Sequence, residues 1–273
     1  MIGKKAVAIM WIMFFIFLVV LSASYIYFLG NKFSPETEII GSLQLSLKDL
    51  IDEGNILLFN IEKSARIASE RGLRDLFAKG GLINACETVD GYGLLFSKEE
   101  CYIDRKTINN NFIESFGIHF DKYLERLGGS ITRYDYLYFI NESYLSGLAR
   151  EKIDFVRDGI SYSVKPNFFI KLSYNPEKFI DILETIAAKK ECLQRIEFNE
   201  LADSDDKIAK ECNFDDDYEW VIRKRNDYLL FDIKSKEELM FAGKIDFKFA
   251  IYLNSLNVMR DYLKGIKLNV VNL

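Results

Sequence analysis

Hydrophobic positions along the chain follow three successive patterns. From Ala6 to Leu29 the sequence reads AVAIMWIMFFIFLVVLSASYIYFL, 24 residues without a charge or a proline and apolar on every side. As a helix this run extends ~36 Å, enough to cross a hydrocarbon layer of ~30 Å with some tilt. Past a break from Gly30 to Pro35, the residues Ile40, Leu43, Leu47, Leu50, Leu57, Ile61, Ala65, Ala68 and Leu76 recur at helical spacing. They predict a long amphipathic helix from Thr37 to Lys79, stopped by Gly80-Gly81. Its small residues Gly54, Ser64, Ala65, Ala68 and Gly72 mark places where another element can come close. A loop with Gly91 and Gly93 leads to a second helical pattern, Ile113, Phe116, Phe120, Tyr123, Leu124 and Leu127, which Gly128-Gly129 ends.

Period-two alternation and aromatic enrichment then take over, the mark of strands. Strands are expected at Tyr134 to Ile140, Ile153 to Val156, Ile160 to Val164 and Phe168 to Tyr174, paired as a meander, with Arg157-Asp158-Gly159 as a hairpin turn. Asn175-Pro176 opens another helix, continued by Phe179, Ile182, Leu183, Ile186, Leu193 and Ile196. Strand signals return at Tyr218 to Arg223 and Tyr228 to Lys234, joined by a polar turn from Lys224 to Asp227, and again at Ile245 to Leu253. The expected fold is α+β: an N-terminal transmembrane helix and a long amphipathic helix, then a mainly antiparallel sheet packed with helices. The organisation that follows is a tail over 1–5, a transmembrane helix over 6–29, a juxtamembrane linker over 30–36, a helical region over 37–129 and an α+β region over 130–273.

Charge sets the expected orientation. Lys4 and Lys5 precede the apolar run, whereas Lys32 is followed by Glu36 and Glu38, so the positive-inside bias keeps the N-terminus in the cytoplasm and places the 244 residues after Leu29 outside a cell membrane. Trp11, Tyr25 and Tyr27 lie toward the ends of the run, where amphipathic rings favour the headgroup zone. A cleaved signal peptide competes, with Ser22-Ala23-Ser24 as its cleavage site, but the apolar core of such a peptide covers only ~7–15 residues. A buried core helix is a third reading, and a helix apolar all round at a chain end has little protein to hide in. Without Lys4 and Lys5 the chain carries 34 basic against 41 acidic residues, a balance of −7 that argues against a nucleic-acid partner.

All four cysteines, Cys86, Cys101, Cys192 and Cys212, follow the apolar run. In an oxidising compartment an even number points to disulfides, with the local pairs Cys86–Cys101 and Cys192–Cys212 favoured over the other connectivities and over four buried free thiols. Intervals of 14, 90 and 19 intervening residues contain none of the close pairs that zinc sites need.

No catalytic constellation emerges. The single histidine, His119, falls inside a helical pattern and reads as a surface or packing residue, and there is no G-x-S-x-G or glycine-rich phosphate loop. No cofactor is expected. Asp203, Asp205 and Asp206, with Asp215, Asp216 and Asp217, are calcium candidates by their oxygen density, although the first run lacks the glycine and final glutamate of an EF-hand loop, and a solvated loop is the simpler reading. Arg223-Lys224-Arg225 is a basic cluster at a hairpin tip that suits anionic headgroups, an acidic partner or plain solvation. Tyr134, Tyr136 and Tyr138 offer either a recognition surface or the inward face of an ordinary strand. Asn141-Glu142-Ser143 fits a glycosylation acceptor at Asn141.

The order of basic tail, apolar span, long helix ending in Gly-Gly and cysteine-bearing α+β part resembles uncharacterised single-span surface proteins of archaea, chiefly through GKKAVAIMWIMFF and FVRDGISYSVKPNFFIKLSY. A weaker resemblance is to type IV pilin-like subunits, from which the chain departs because no glutamate lies early in the span and Pro35 interrupts the stem. The resemblance implies a location and no activity. The functional expectation is a membrane-anchored exofacial structural or interaction protein, held in lipid by residues 6–29 and working through a protein partner or self-association. The alternatives are an envelope hydrolase acting through carboxylates and a ligand-binding or sensor head.

Overall fold

A computed structural model describes residues 4–32, 35–83, 86–98, 101–128, 131–141, 143–195, 207–215 and 217–270. Helix α1 runs Lys4–Lys32 and helix α2 Pro35–Phe77. Within α1 the stretch Trp11–Phe28 has a mean hydropathy of 2.2 and is nowhere buried by protein, and it is long and apolar enough to cross a membrane. Its two serines require no water. Ser22 Oγ donates to the Leu18 carbonyl at 2.9 Å and Ser24 Oγ to the Val20 carbonyl at 2.7 Å, returning each hydroxyl to the helix backbone. Helix α2 stops where the amphipathic pattern predicts. Gly80 and Gly81 take left-handed φ values of 71° and 78°, and the Gly81 N–H closes on the Leu76 carbonyl at 2.9 Å.

The strands among the described residues are β1 (Thr88–Val89), β2 (Tyr92–Leu95), β3 (Tyr136–Asn141), β4 (Tyr144–Ala149), β5 (Ile153–Arg157), β6 (Ile160–Val164), β7 (Phe168–Lys171), β8 (Tyr218–Arg225), β9 (Tyr228–Leu239) and β10 (Gly243–Tyr252). The remaining helices are α3 (Arg105–Leu124), α4 (Lys178–Ala188), α5 (Lys190–Arg195), α6 (Lys207–Glu211) and α7 (Ser255–Val270). The class is α+β, with a mainly antiparallel sheet packed against helices. The chain divides into two compact units, Met1–Ile56 with Ile153–Val164, and Leu57–Lys152 with Lys165–Leu273.

In the larger unit a five-stranded sheet has the order β1-β2-β10-β9-β8, antiparallel throughout except for the parallel pair β2 and β10. Its core-facing residues Trp220, Ile222, Phe231, Ile233, Phe247 and Phe249 are buried, as expected for a strand set that alternates in and out. Phe77 of α2 and Phe179 of α4 cover them, with ring centroids 4.8 Å and 5.8 Å from Phe247. Leu256, Met259 and Leu263 of α7 join the same core. A second sheet, β3-β4-β7, is antiparallel and packs against α3 through Phe116 and Phe120.

This second sheet corrects the expected meander. Strand β4, which the alternation does not announce, sits between β3 and β7, and among the described residues β5 pairs with β6 alone. Gly147 explains the hidden strand. The Phe168 ring lies over it, where a β-carbon would collide with the ring, so a residue of poor strand propensity is required at this position.

In the smaller unit the β5–β6 hairpin turns through Asp158 and Gly159, both left-handed at φ 52° and 79°, as a two-residue primed turn demands. The hairpin lies on α2 at Gly54, where an added β-carbon would sit 2.8 Å from the Tyr162 ring and 3.0 Å from Val164. Arg157 reaches Asp49 and Glu53, each at 3.4 Å, and Ser46 donates to the Asp158 carboxylate at 2.7 Å.

Candidate functional site

Strand β3 reads Tyr-Leu-Tyr-Phe-Ile-Asn, apolar at both parities, yet among the described residues helices cover its sheet on only one side. The tyrosines take the inner side. Tyr136 and Tyr138 stand against Phe120 and Phe116, with centroids 5.6 Å and 5.5 Å apart, and the Tyr138 hydroxyl donates to the Arg133 carbonyl at 2.8 Å. Burial pushes both phenols well above the ordinary tyrosine range, and Asp135 beside Tyr136 adds to the effect there. Of the three tyrosines read as a recognition surface, only Tyr134, just before the strand, is exposed.

The opposite face carries the unexpected residues. Leu137 is 48% exposed, Phe139 54%, Tyr144 38%, Leu148 43% and Phe169 62%. Strand register places Leu137 beside Leu148, sets Phe139, Ser146 and Phe169 in one row, and puts Asn141, Tyr144 and Lys171 in the next. The Tyr144 and Phe169 rings stack at 5.0 Å and 12°. Scattered apolar residues on a surface are ordinary, but a contiguous patch built on a rigid sheet is where partners bind. Sequence reasoning named the tyrosines and missed their outward neighbours. The available signal was the apolar run itself, which suits a strand covered on both faces.

A cleft of about 710 Å³ opens elsewhere in the larger unit, lined by Tyr174, Lys178, Asp181, Thr185, Asp215, Asp217, Tyr218 and Lys236. The Tyr174 and Tyr218 hydroxyls meet at 2.8 Å, and the Lys178 ammonium stands 4.9 Å from the Tyr174 ring centroid. Burial raises the Tyr218 phenol, and its hydrogen bond with Tyr174 partly opposes the shift. Carboxylates and ammoniums thus share the lining, an arrangement suited to a polar or zwitterionic solute.

The remaining sequence candidates disperse. Asp203, Asp205, Asp206 and Asp216 lie outside the described residues. The Asp215 carboxylate accepts from the Asp217 N–H at 3.3 Å, closing a local turn. Among the described residues no group of three or more His, Cys, Asp or Glu side chains is placed to hold a metal ion. His119 Nε2 lies 2.8 Å from the Asp75 carboxylate, and one helical turn earlier Ser115 Oγ donates to the Gly72 carbonyl at 2.9 Å, so both side chains tie α3 to α2. In the basic cluster Arg223 donates to the Tyr92 hydroxyl at 3.3 Å and Arg225 lies 3.4 Å from Asp90. Asn141 is exposed at the end of β3, and Glu142 lies outside the described residues. Disulfides join Cys86 to Cys101 and Cys192 to Cys212, with Cα atoms 5.9 Å and 5.6 Å apart.

No family model matches this chain, and no curated protein or solved structure matches it.

Proposed function

We propose that this protein is an interaction protein anchored in a cell membrane by α1, with its folded part on the non-cytoplasmic side and its partner received on the outward face of β3, β4 and β7. The carrying observation is that face, where Leu137, Phe139, Tyr144, Leu148 and Phe169 stand in adjoining rows with no covering layer among the described residues. Two further features support the location. The Trp11–Phe28 stretch is more stable among lipid tails than in water, with Lys4 and Lys5 holding its start on the cytoplasmic side, and paired cysteines belong to an oxidising compartment.

Site-specific photo-cross-linking in native membranes tests the reading. The full chain carrying benzoylphenylalanine in place of Phe139 gives a discrete protein adduct, and the same group in place of exposed Lys106 on α3 does not. Adducts of equal pattern from both positions, or none from position 139, refute an interaction role for this face. Release of the intact chain by alkaline carbonate without detergent refutes the anchor separately.

The polar cleft supports a second reading, a solute-binding or carboxylate-hydrolase head, because Asp181, Asp215 and Asp217 are among the residues that line it. If that reading holds, Asp217→Asn abolishes binding or turnover of the solute. It fails if a screen of polar solutes and glycosides leaves the melting temperature of the full chain unchanged.

A further inference from the structure

We infer that Asn141 carries an N-linked glycan whose first sugar packs on the Phe139 ring. This inference rests on the non-cytoplasmic location proposed above, because such glycans are attached on that side of a membrane, and it is independent of the protein partner.

Sequence supplies the acceptor. Asn141-Glu142-Ser143 is the one Asn-x-Ser/Thr tripeptide in the chain, and its middle residue is not proline. A single substitution therefore removes every acceptor of this kind.

The fold supplies access. Asn141 is the last residue of β3 and is exposed, and its pairing with Tyr144 closes the β3–β4 ladder, so the acceptor amide stands at the tip of a hairpin. Such tips are where a bulky modification meets the least protein. The Ser143 carbonyl accepts from the Leu172 N–H at 2.7 Å, which fixes the backbone of the third residue and leaves its side chain half-exposed.

The strand supplies the platform. Period two along β3 puts Asn141 and Phe139 on the same face, ~6.8 Å apart, and Phe139 is more than half exposed. A pyranose presents a face of C–H bonds, which the negative face of an aromatic ring attracts. Tyr144, directly opposite Asn141, is already stacked on Phe169 at 5.0 Å, so Phe139 offers the open ring. The first sugar then removes apolar surface from water at the turn end of the face. Leu137 and its neighbour Leu148 lie a further row back, ~14 Å from Asn141, where a protein partner still reaches them.

The attachment balances without an oxidant or reductant. The donor is an oligosaccharide linked through phosphate to a polyprenyl lipid. A bond forms between Asn141 Nδ2 and C1 of the first sugar, the bond from C1 to the phosphate oxygen breaks, the lipid phosphate leaves with that electron pair, and the amide proton passes to a base of the transferase.

The test uses the full chain purified from the membranes of its native cells. Trypsin cuts after Arg133 and Arg150 and releases residues 134–150 as one peptide. Mass spectrometry is expected to find most of that peptide carrying sugar units on Asn141. Asn141→Gln and Ser143→Ala each abolish the added mass, and Ser143→Thr keeps it. Both losses lower the melting temperature by about 2–4 °C, and in a Phe139→Ala background they cost less than half as much. An unmodified peptide, a sugar that survives Asn141→Gln, as one linked to the Ser143 hydroxyl would, or an equal thermal loss in both backgrounds overturns the inference. Protease added to intact cells separates it from the location on which it rests. A chain that is cut outside yet unmodified overturns the glycan and leaves the location standing, whereas a chain both protected and unmodified overturns the two together.

Discussion

Glu70 offers the sharpest test of how the larger unit is held together. It lies on α2 with only 1% of its surface exposed, an uncommon place for a carboxylate. Both oxygens are engaged: Oε1 accepts from Ser173 Oγ at 2.6 Å, and Oε2 accepts from the Phe241 backbone N–H at 2.5 Å. One side chain thereby ties the loop after β7 and the turn between β9 and β10 to the helix. Glu70→Ala removes two charge-assisted hydrogen bonds, each worth ~1.5–3 kcal/mol, and leaves the Phe241 N–H without its partner. Against this stands the released desolvation of a buried charge, so the net loss expected is about 2–4 kcal/mol. Glu70→Gln keeps an acceptor for Phe241 and turns its NH2 toward Ser173 Oγ, and it should lose only about 1 kcal/mol. Urea unfolding of the full chain in detergent, followed by tryptophan fluorescence, measures both, since Trp220 is buried in the same core. Once Glu70 is alanine, Ser173→Ala should cost nothing more, because the partner is gone. Equal losses for Ala and Gln, or a loss below ~0.5 kcal/mol for Ala, would show that the carboxylate is not a tie.

Other expectations follow from the same structure. Replacing Cys192 and Cys212 together by serine reopens a loop with a sequence separation of 20 and should lower unfolding free energy by about 3 kcal/mol, read by urea titration with and without reductant. Gly72→Ala places a β-carbon 2.9 Å from the backbone N and Cα of Phe116, where no side chain can swing aside, and should destabilise by about 1–3 kcal/mol. Gly41→Ala on the same helix meets nothing within 4 Å and should raise helix stability by about 0.5–1 kcal/mol, as hydrogen exchange along α2 would report. Burial holds the Tyr136 and Tyr138 phenols protonated in the fold above their unfolded value near ~10. Their contribution to stability is therefore constant below pH ~10 and is lost as pH rises past it, by up to ~1.4 kcal/mol per pH unit for each ring. Tyr136→Phe with Tyr138→Phe should flatten that fall, and absorbance at alkaline pH should otherwise show these rings ionising only as the chain unfolds.

Elements whose signals are local were legible. The Gly80-Gly81 stop of α2 and the Asp158-Gly159 turn are written in adjacent residues, because a left-handed backbone needs glycine or a short polar side chain. The close approaches at Gly54 and Gly72 also follow from small residues in a helical stripe. Elements that depend on distant partners were not. Strand β2 lies in a glycine-bearing stretch that reads as loop, and its ladder is completed by β10 from the far end of the chain. Helix α7 buries Leu256, Met259 and Leu263 at helical spacing, but Asn257, Gly265 and Asn269 dilute the pattern. Glu70 reads as one more solvated charge on an amphipathic helix, since nothing nearby in sequence announces Ser173 or Phe241.

The candidate interface was hidden for a different reason. Period-two reasoning asks which parity of a strand is apolar, and in β3 the answer is both: Tyr136, Tyr138 and Ile140 on one side, Leu137 and Phe139 on the other. Local sequence cannot then say which side the helices take. Ring size decides it in the fold, because Phe116, Phe120 and Phe168 leave a space that aromatic side chains fill, and the Tyr138 hydroxyl still finds the Arg133 carbonyl at its edge. Leu137 and Phe139 are consequently left outside with Leu148 and Phe169. Folding gains nothing from the part of these four large apolar side chains that remains in water, about half of each; a partner that covers it gains ~25 cal/mol for each Å² removed. That difference is the physical ground for reading this face as a site of binding rather than an accident of packing.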